Sequence, residues 1–376
     1  MDPITHVVSG LILGSALSAR GPRGPRPPGR SESAHFVRAP VGKGGLREWG
    51  FRPGPRGPLA WAALLGAIVP DADNVVRFWG GLPAVMAYHR GITHSFFGGL
   101  GEALVVAGIV RLFARRVPFG SLYLVAYLGV VLHILLDLPT SYGTQAFLPF
   151  IARRFALDWV FIIDISLTLC FLLPLLAGLA FPRWGRPLAW GGLVAAALYV
   201  GASGLEHGRA LAQLRRATAA SGIATFEESV LPAPGALFRW LGLTPPGYVP
   251  WRGLARIEGG YLRAAQVNPS GPPPQVERLE NAPVNPFVRR AEEEDLVRLY
   301  RWFARYPLVR YREEGGRHRV EYLDLRFVVD PRRRHFVLVV ELTSAGKVAR
   351  AGFRPNRPYS FLKNIGSPPP TLRLTP

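Results

Sequence analysis

The stretch Ser121-Leu-Tyr-Leu-Val-Ala-Tyr-Leu-Gly-Val-Val-Leu-His133-Ile-Leu-Leu-Asp137-Leu138 decides the fold. It is long, apolar and free of charge until its last turn, which is the pattern of a transmembrane helix. Its two ionisable residues, His133 and Asp137, stand at i and i+4 and project from one helix face. Such groups are costly at a membrane boundary, so they face a partner, an ion or a water-filled cavity. A structural His–Asp hydrogen bond is one reading. A chelating pair is the other, because imidazole and carboxylate together suit zinc or another first-row divalent ion.

Five further apolar runs surround this one: Ile4–Ala19, Leu59–Pro70 with an extension toward Trp79, Phe96–Phe113, Trp159–Phe181 and Pro187–Gly204. The expected fold is therefore mainly α, a polytopic helical membrane bundle of about six spans over residues 1–204. Met1–Thr5 carries Asp2 and no Lys or Arg, so the first run reads as a retained anchor rather than a cleaved signal. Cys170, the single cysteine, lies in an apolar run, and no intrachain disulfide is possible.

The formal charge of +20 is concentrated in Arg20–Arg56, Arg111–Arg116, Arg183–Arg186 and the C-terminal third. Positive loops beside apolar helices are the ordinary topology signal, and a basic surface also attracts anionic lipid head groups. With no recognised binding module beside the charge, nucleic acid is not an expected partner. Residues 20–58, rich in Gly, Pro and Arg, read as a disordered cytoplasmic loop. Alternating the spans from that loop puts the other two basic loops on the same side. His6, Asp71, Asp73, His89, His94 and the end of the His133 helix then share the opposite face.

Residues 205–376 are more polar and Pro-rich, and are expected to form a small α+β domain outside the membrane. Leu205–Ala220 reads as a helix, and Ala291–Tyr306 as another with Leu296, Leu299, Trp302 and Phe303 on one stripe. Val320–Val329 and His335–Leu342 alternate like strands around a turn at Asp330–Arg334. No clear internal repeat is apparent. His35, His207, His318 and His335 sit in basic or polar surroundings and read as surface residues.

Three more motifs extend the candidate site. His89 and His94 bracket Arg90-Gly91-Ile92-Thr93, where Gly91 permits a turn and Thr93 can cap a helix. Asp71 and Asp73 follow Pro70 at the end of an apolar run, as ligands, metal bridges or a solvated helix terminus. Thr5-His6 lies near the start of the first run. Asp158 reads as an N-cap, whereas Asp164 lies deeper in its run and is harder to explain by capping. Tyr142-Gly143-Thr144 could shape the mouth of the site.

Asp2-Pro3-Ile4-Thr5-His6, Pro70-Asp71-Ala72-Asp73, His89-Arg-Gly-Ile-Thr-His94-Ser95 and His133-Ile-Leu-Leu-Asp137, in this order, resemble the YdjM-like family. These are inner-membrane proteins described as metal-dependent hydrolases and as LexA-associated. Ser141-Tyr-Gly-Thr144 and Arg153-Arg-Phe-Ala-Leu-Asp158-Trp-Val-Phe-Ile-Ile-Asp164 are similar to that family too, so the resemblance covers about residues 1–200. Residues 20–58 look like an insertion in it. The resemblance implies a multi-pass inner (plasma) membrane hydrolase and leaves its substrate unnamed.

The expected centre holds one or more divalent ions, zinc first, through His89, His94, His133 and Asp137, with Asp71, Asp73 and His6 completing it. Asp73 or Asp164 would serve as general base and Arg90 would hold an anionic group. The expected substrate is a lipid, a phosphoester or another membrane-associated molecule, and membrane lipids are expected partners. A transporter or ion-conducting protein, and a non-catalytic protein with a structural metal, are the alternatives.

Overall fold

The computed structural model describes residues 1–17, 57–233, 251–328 and 336–354. Nearly all of the loop read at 20–58, the turn at Asp330–Arg334, His35 and His335 lie outside the described residues.

Helix α1 (Pro3–Leu17) packs against α2 (Pro58–Ile68), and α2 packs against α5 (Phe119–Asp137). Small residues set these distances. A Cβ on Gly66 would stand 2.1 Å from the Ala126 carbonyl oxygen, and one on Gly129 would stand 2.5 Å from that of Ala63. Only glycine lets the α2 and α5 backbones approach so closely, as is common between membrane helices. The result for the site is direct: the Ala67 carbonyl of α2 reaches His133 Nδ1 of α5 at 2.7 Å.

From α2 the chain continues as a 3-10 helix, Val69–Val76, and then as α3 (Arg77–Tyr88), which bends at Gly81 with φ 60° and contains Pro83. After a short 3-10 turn at Ile92–His94 come α4 (Gly98–Phe113), α5, α6 (Ile165–Ala180) and α7 (Gly185–Ala220). Among the described residues, three stretches are long and apolar enough to cross a membrane: Pro58–Tyr88, Phe119–Asp137 and Pro182–Ala220. Helices α1, α4 and α6 are shorter, at 15, 16 and 16 residues. At 1.5 Å per residue they reach about 24 Å, short of a hydrocarbon core of about 30 Å. The six expected spans therefore resolve into three of full length and three shorter helices.

Two boundaries differ from the sequence reading for clear reasons. The run expected from Trp159 becomes helical only at Ile165, because Asp164 caps α6 by accepting from Leu167 N at 3.1 Å. Upstream of it, Trp159 N and Val160 N both donate to the Pro139 carbonyl. Further on, Pro187–Gly204 and Leu205–Ala220 are one continuous helix, α7, which runs through the change in composition near residue 204.

Beyond α7 stand two four-stranded antiparallel sheets, ordered β1-β2-β3-β4 and β5-β6-β7-β8. The first comprises Glu227–Pro232, Trp251–Ile257, Gly260–Ala264 and Glu277–Glu280. The second comprises Pro307–Glu314, Arg317–Asp324, Leu338–Leu342 and Val348–Phe353. The strand pair expected near 320–342 is β6–β7, with His318 opposite Leu342 and Tyr322 opposite Leu338. Leu231, Leu254 and Tyr261 of the first sheet share a core with Tyr306, Leu308 and Leu323 of the second region. The helix expected at Ala291–Tyr306 divides into α8 (Pro286–Glu292) and α9 (Asp295–Phe303). Its buried stripe is Leu296, Val297, Tyr300 and Phe303, with Leu299 and Trp302 only partly covered.

This C-terminal domain rests on the helical part. Leu82 and Met86 of α3 pack into the core that α8, α9 and the second sheet share. Arg305 pairs with Asp158 at 2.6 Å. Burial works against the Arg305 charge, yet Asp158 holds its pKa above the ordinary arginine value. Arg326 donates to the carbonyls of Tyr142 and Ser141 at 2.7 and 3.3 Å.

Candidate metal centre

The helix order brings the polar motifs to one end of the bundle. His6 lies in the first turns of α1, Asp71 and Asp73 follow α2, His89 and His94 bracket the turn before α4, and His133 and Asp137 end α5. The opposite ends also meet. Pro58 and residues 112–117 line one cavity, and Arg186 Nε donates to the Ala16 carbonyl at 3.1 Å. Every imidazole and carboxylate expected in the centre is thus at the end away from the Arg111–Arg116 and Arg183–Arg186 turns.

Four of these side chains form a closed ring of donors. Asp71 Oδ1 is 3.4 Å from His94 Nε2, which is 3.6 Å from Asp137 Oδ2. Asp137 Oδ2 is 3.5 Å from His133 Nε2, which is 3.8 Å from Asp71 Oδ1. These separations exceed good hydrogen-bond lengths. They approach the spacing of two ligands of one ion, since donors about 2.0–2.1 Å from a tetrahedral zinc stand roughly 3.3–3.4 Å apart, a little closer than these. His94 Nε2, His133 Nε2 and Asp137 Oδ2 are buried and have no hydrogen-bond partner among the described residues. Leaving such atoms bare is unfavourable unless something binds them. The donor set and its bare atoms fit a divalent ion.

His6 and His89 flank this ring. His6 Nε2 is 3.5 Å from Asp137 Oδ1, its ring stacks on His133 at 3.7 Å, and both its nitrogens lack hydrogen-bond partners among the described residues. The donor atoms of His6, Asp71 and His133, of Asp71, His89 and His94, and of His94, His133 and Asp137 each lie within 4.8 Å of one another. The Met1 amino group also contacts Asp137 Oδ1.

The surrounding bonds orient these groups. His133 Nδ1 is held by the Ala67 carbonyl, so the proton belongs on that nitrogen and the Nε2 lone pair faces the ring. Asp73 serves two imidazoles at once. Its Oδ1 is 2.7 Å from His89 Nδ1, and its Oδ2 is 3.3 Å from His94 Nδ1 and accepts from Thr93 Oγ1 at 2.7 Å. Carboxylates in this position fix the ring orientation of metal-binding histidines. Arg90, left-handed at φ 60° and almost fully buried, donates to Asp137 Oδ1 at 2.8 Å and to Thr140 Oγ1 at 2.9 Å. Tyr142, expected at the mouth, instead stands between the site and the C-terminal domain, packed on Phe303. Its ring is 5.6 Å from His89, and the Arg90 guanidinium lies 4.7 Å from its centroid.

Some expected residues are placed elsewhere. Asp164 does not join the cluster: its carboxylate caps α6 and accepts from Tyr199 at 2.7 Å. Asp158, expected as the cap, is left-handed at φ 60° and pairs with Arg305. The cap expected of Asp158 is thus made by Asp164, and neither carboxylate stands where a general base would. The Arg90 fork is committed to Asp137 and Thr140, so it is not free to clamp a substrate anion. His318, read as a surface residue, is buried and stacks on Phe287 at 3.4 Å. Glu102 of α4 was missed. Its Oε2 is buried without a hydrogen-bond partner among the described residues, in the field of His94 and Asp73. The signal was available as a lone carboxylate in the apolar run Phe96–Phe113.

A model of the YdjM inner membrane protein family matches residues 1–210, more than half of the 376 residues. The chain belongs to the YdjM inner membrane protein family. That membership and the three long apolar helices make it an inner-membrane protein. An uncharacterized protein, YfhP, of Bacillus subtilis (strain 168) is 31% identical over 160 residues, 43% of this chain and 41% of that protein. The chain thus spans less than half the length of that relative. No solved structure matches. The family match ends within α7, so it covers the centre and leaves both sheets outside.

Proposed function

We propose that the chain is a membrane-embedded metal-dependent hydrolase of a lipid, phosphoester or other membrane-associated substrate. The observation that carries this reading is the closed ring of four donors, three of which, on His94, His133 and Asp137, are buried and bare among the described residues. Asp71, His94, His133 and Asp137 would hold the ion, with His6 and His89 beside them. Two imidazoles and two carboxylates at these separations favour zinc. When bound, such an ion lowers the pKa of a coordinated water toward about 7 and polarises a carbonyl or phosphoryl oxygen.

The remaining residues prepare the ring. Asp73 holds His89 and His94 by their Nδ1 atoms, and we assign it this orienting role in place of general base, because both its oxygens are engaged. Arg90 offsets the charge of Asp137 and keeps its Oδ2 turned to the ring. A non-catalytic structural ion is the second reading, favoured by the full burial of His94, His133 and Asp137.

Turnover of a panel of phosphoesters and lipid esters by detergent-purified protein separates the two. Activity that disappears in His133→Ala supports the hydrolase. Asp73→Asn should weaken metal binding by about 10–100-fold, with turnover restored by added metal. Undiminished turnover in His133→Ala would refute the proposed centre.

A further inference from the structure

The ring is not sealed equally on all sides. His94, His133 and Asp137 are fully buried, whereas the side chain of Asp71 is 23% exposed and that of His89 is 13% exposed. Tyr142 and the C-terminal domain stand against His89, since Tyr142 packs on Phe303 at 5.4 Å and Arg154 donates to the His89 carbonyl from beside Trp302. Asp71 therefore marks the more open flank.

From Asp71 the chain runs as the 3-10 helix Val69–Val76, in which side chains three residues apart lie in rows. The row Asp71, Asn74, continued by Arg77 at the start of α3, is polar. The neighbouring row Ala72, Val75, Phe78 is apolar and open, with Val75 44% and Phe78 86% exposed, and Trp79 beside it 66% exposed. Arg77 is exposed, and no carboxylate among the described residues pairs with it. Both rows fall inside Pro58–Tyr88, one of the three stretches long and apolar enough to cross a membrane. The other side of α3 is occupied, because Leu82 and Met86 pack into the C-terminal domain. An exposed Trp beside an unpaired Arg on a membrane segment is the composition of a membrane–water interface.

We propose that this strip is the approach path of an anionic, phospholipid-like substrate. Its phosphate pairs with Arg77, whose planar fork matches phosphate oxygens. Its chain lies along Val75, Phe78 and Trp79, and its head group reaches Asp71. The lipid contact stands on the strip alone, and its role as substrate path rests on the hydrolase reading above.

The test uses the full chain in bilayers of phosphatidylcholine or phosphatidylglycerol with brominated acyl chains, which quench tryptophan on contact. The chain has nine Trp, so the Trp79 signal is the difference between wild type and Trp79→Phe. The expected result is a quenched Trp79 signal with phosphatidylglycerol favoured about fivefold in lipid competition. Arg77→Gln should remove that preference while metal content and the quenching by acyl chains persist. An unquenched Trp79 in both lipids, or an unchanged preference in Arg77→Gln, overturns the proposal. The anionic preference with no turnover of any phosphoester would keep the lipid contact and remove its substrate role.

Discussion

The two ends of the helical bundle treat charge in opposite ways. At one end, three aspartates and four histidines face each other, and Arg90 is buried among them. At the other, neither residues 111–119 nor 181–186 contain Asp or Glu. There, arginines cap helix ends: Arg111 donates to the carbonyls of Ala114 and Val117 at 3.3 and 2.8 Å, and Arg186 to that of Ala16. Leu112, Phe113, Phe181 and Trp184 are exposed beside them. Exposed arginines need only water, lipid head groups or the dipole of a helix C-terminus. Buried carboxylates need partners, and at the site end those partners leave donor atoms over. That remainder is what distinguishes a binding centre from a topology signal.

The largest effect expected from breaking this contrast comes at the site end. Asp137→Asn removes the carboxylate charge beside Arg90 and strands a buried guanidinium, so stability should fall by about 3–5 kcal/mol. Denaturation in detergent measures it, and a loss under about 1 kcal/mol would mean that the pair behaves like a surface one. The domain junction should respond less. Arg305→Gln leaves Asp158 without its partner, but Arg305 is partly exposed. Its effect should be about 1–2 kcal/mol, between the buried and surface cases. Faster proteolysis at the junction would accompany it, and equal proteolysis of variant and wild type would deny the junction its role. Least affected is the basic end. The double variant Arg115→Gln, Arg116→Gln should keep stability within about 0.5 kcal/mol and metal content unchanged. Lost metal there would show that the two ends are not independent.

Much of this contrast was legible in the sequence. The order of basic loops placed His6, Asp71, Asp73, His89, His94, His133 and Asp137 on one face, and the helices do bring them to one end. The i, i+4 spacing of His133 and Asp137 gave a shared face, which the ring uses. Spacing does not reveal partners, however. That Asp73 orients two imidazoles, or that Arg90 is spent on Asp137, depends on contacts between segments far apart in the chain. The cap passed from Asp158 to Asp164 because Trp159 and Val160 bond the Pro139 carbonyl, from outside the run, and stay non-helical. In the C-terminal domain, strands such as Glu277–Glu280 carry charge at three of four positions, so their alternation is invisible without the sheet. The long α7 hid its continuity behind a change of composition, apolar in the bundle and polar beside the sheets.

The central claim is that Asp71, His94, His133 and Asp137 close around a divalent ion. Elemental analysis of protein purified in detergent without chelator tests it most directly, with a His94→Ala, His133→Ala double variant beside the wild type. The wild-type chain should carry at least one bound divalent ion, zinc first, and the double variant should lose it while still inserting in the membrane. Equal metal in both proteins, or none in the wild type after incubation with zinc, manganese and nickel, would contradict it.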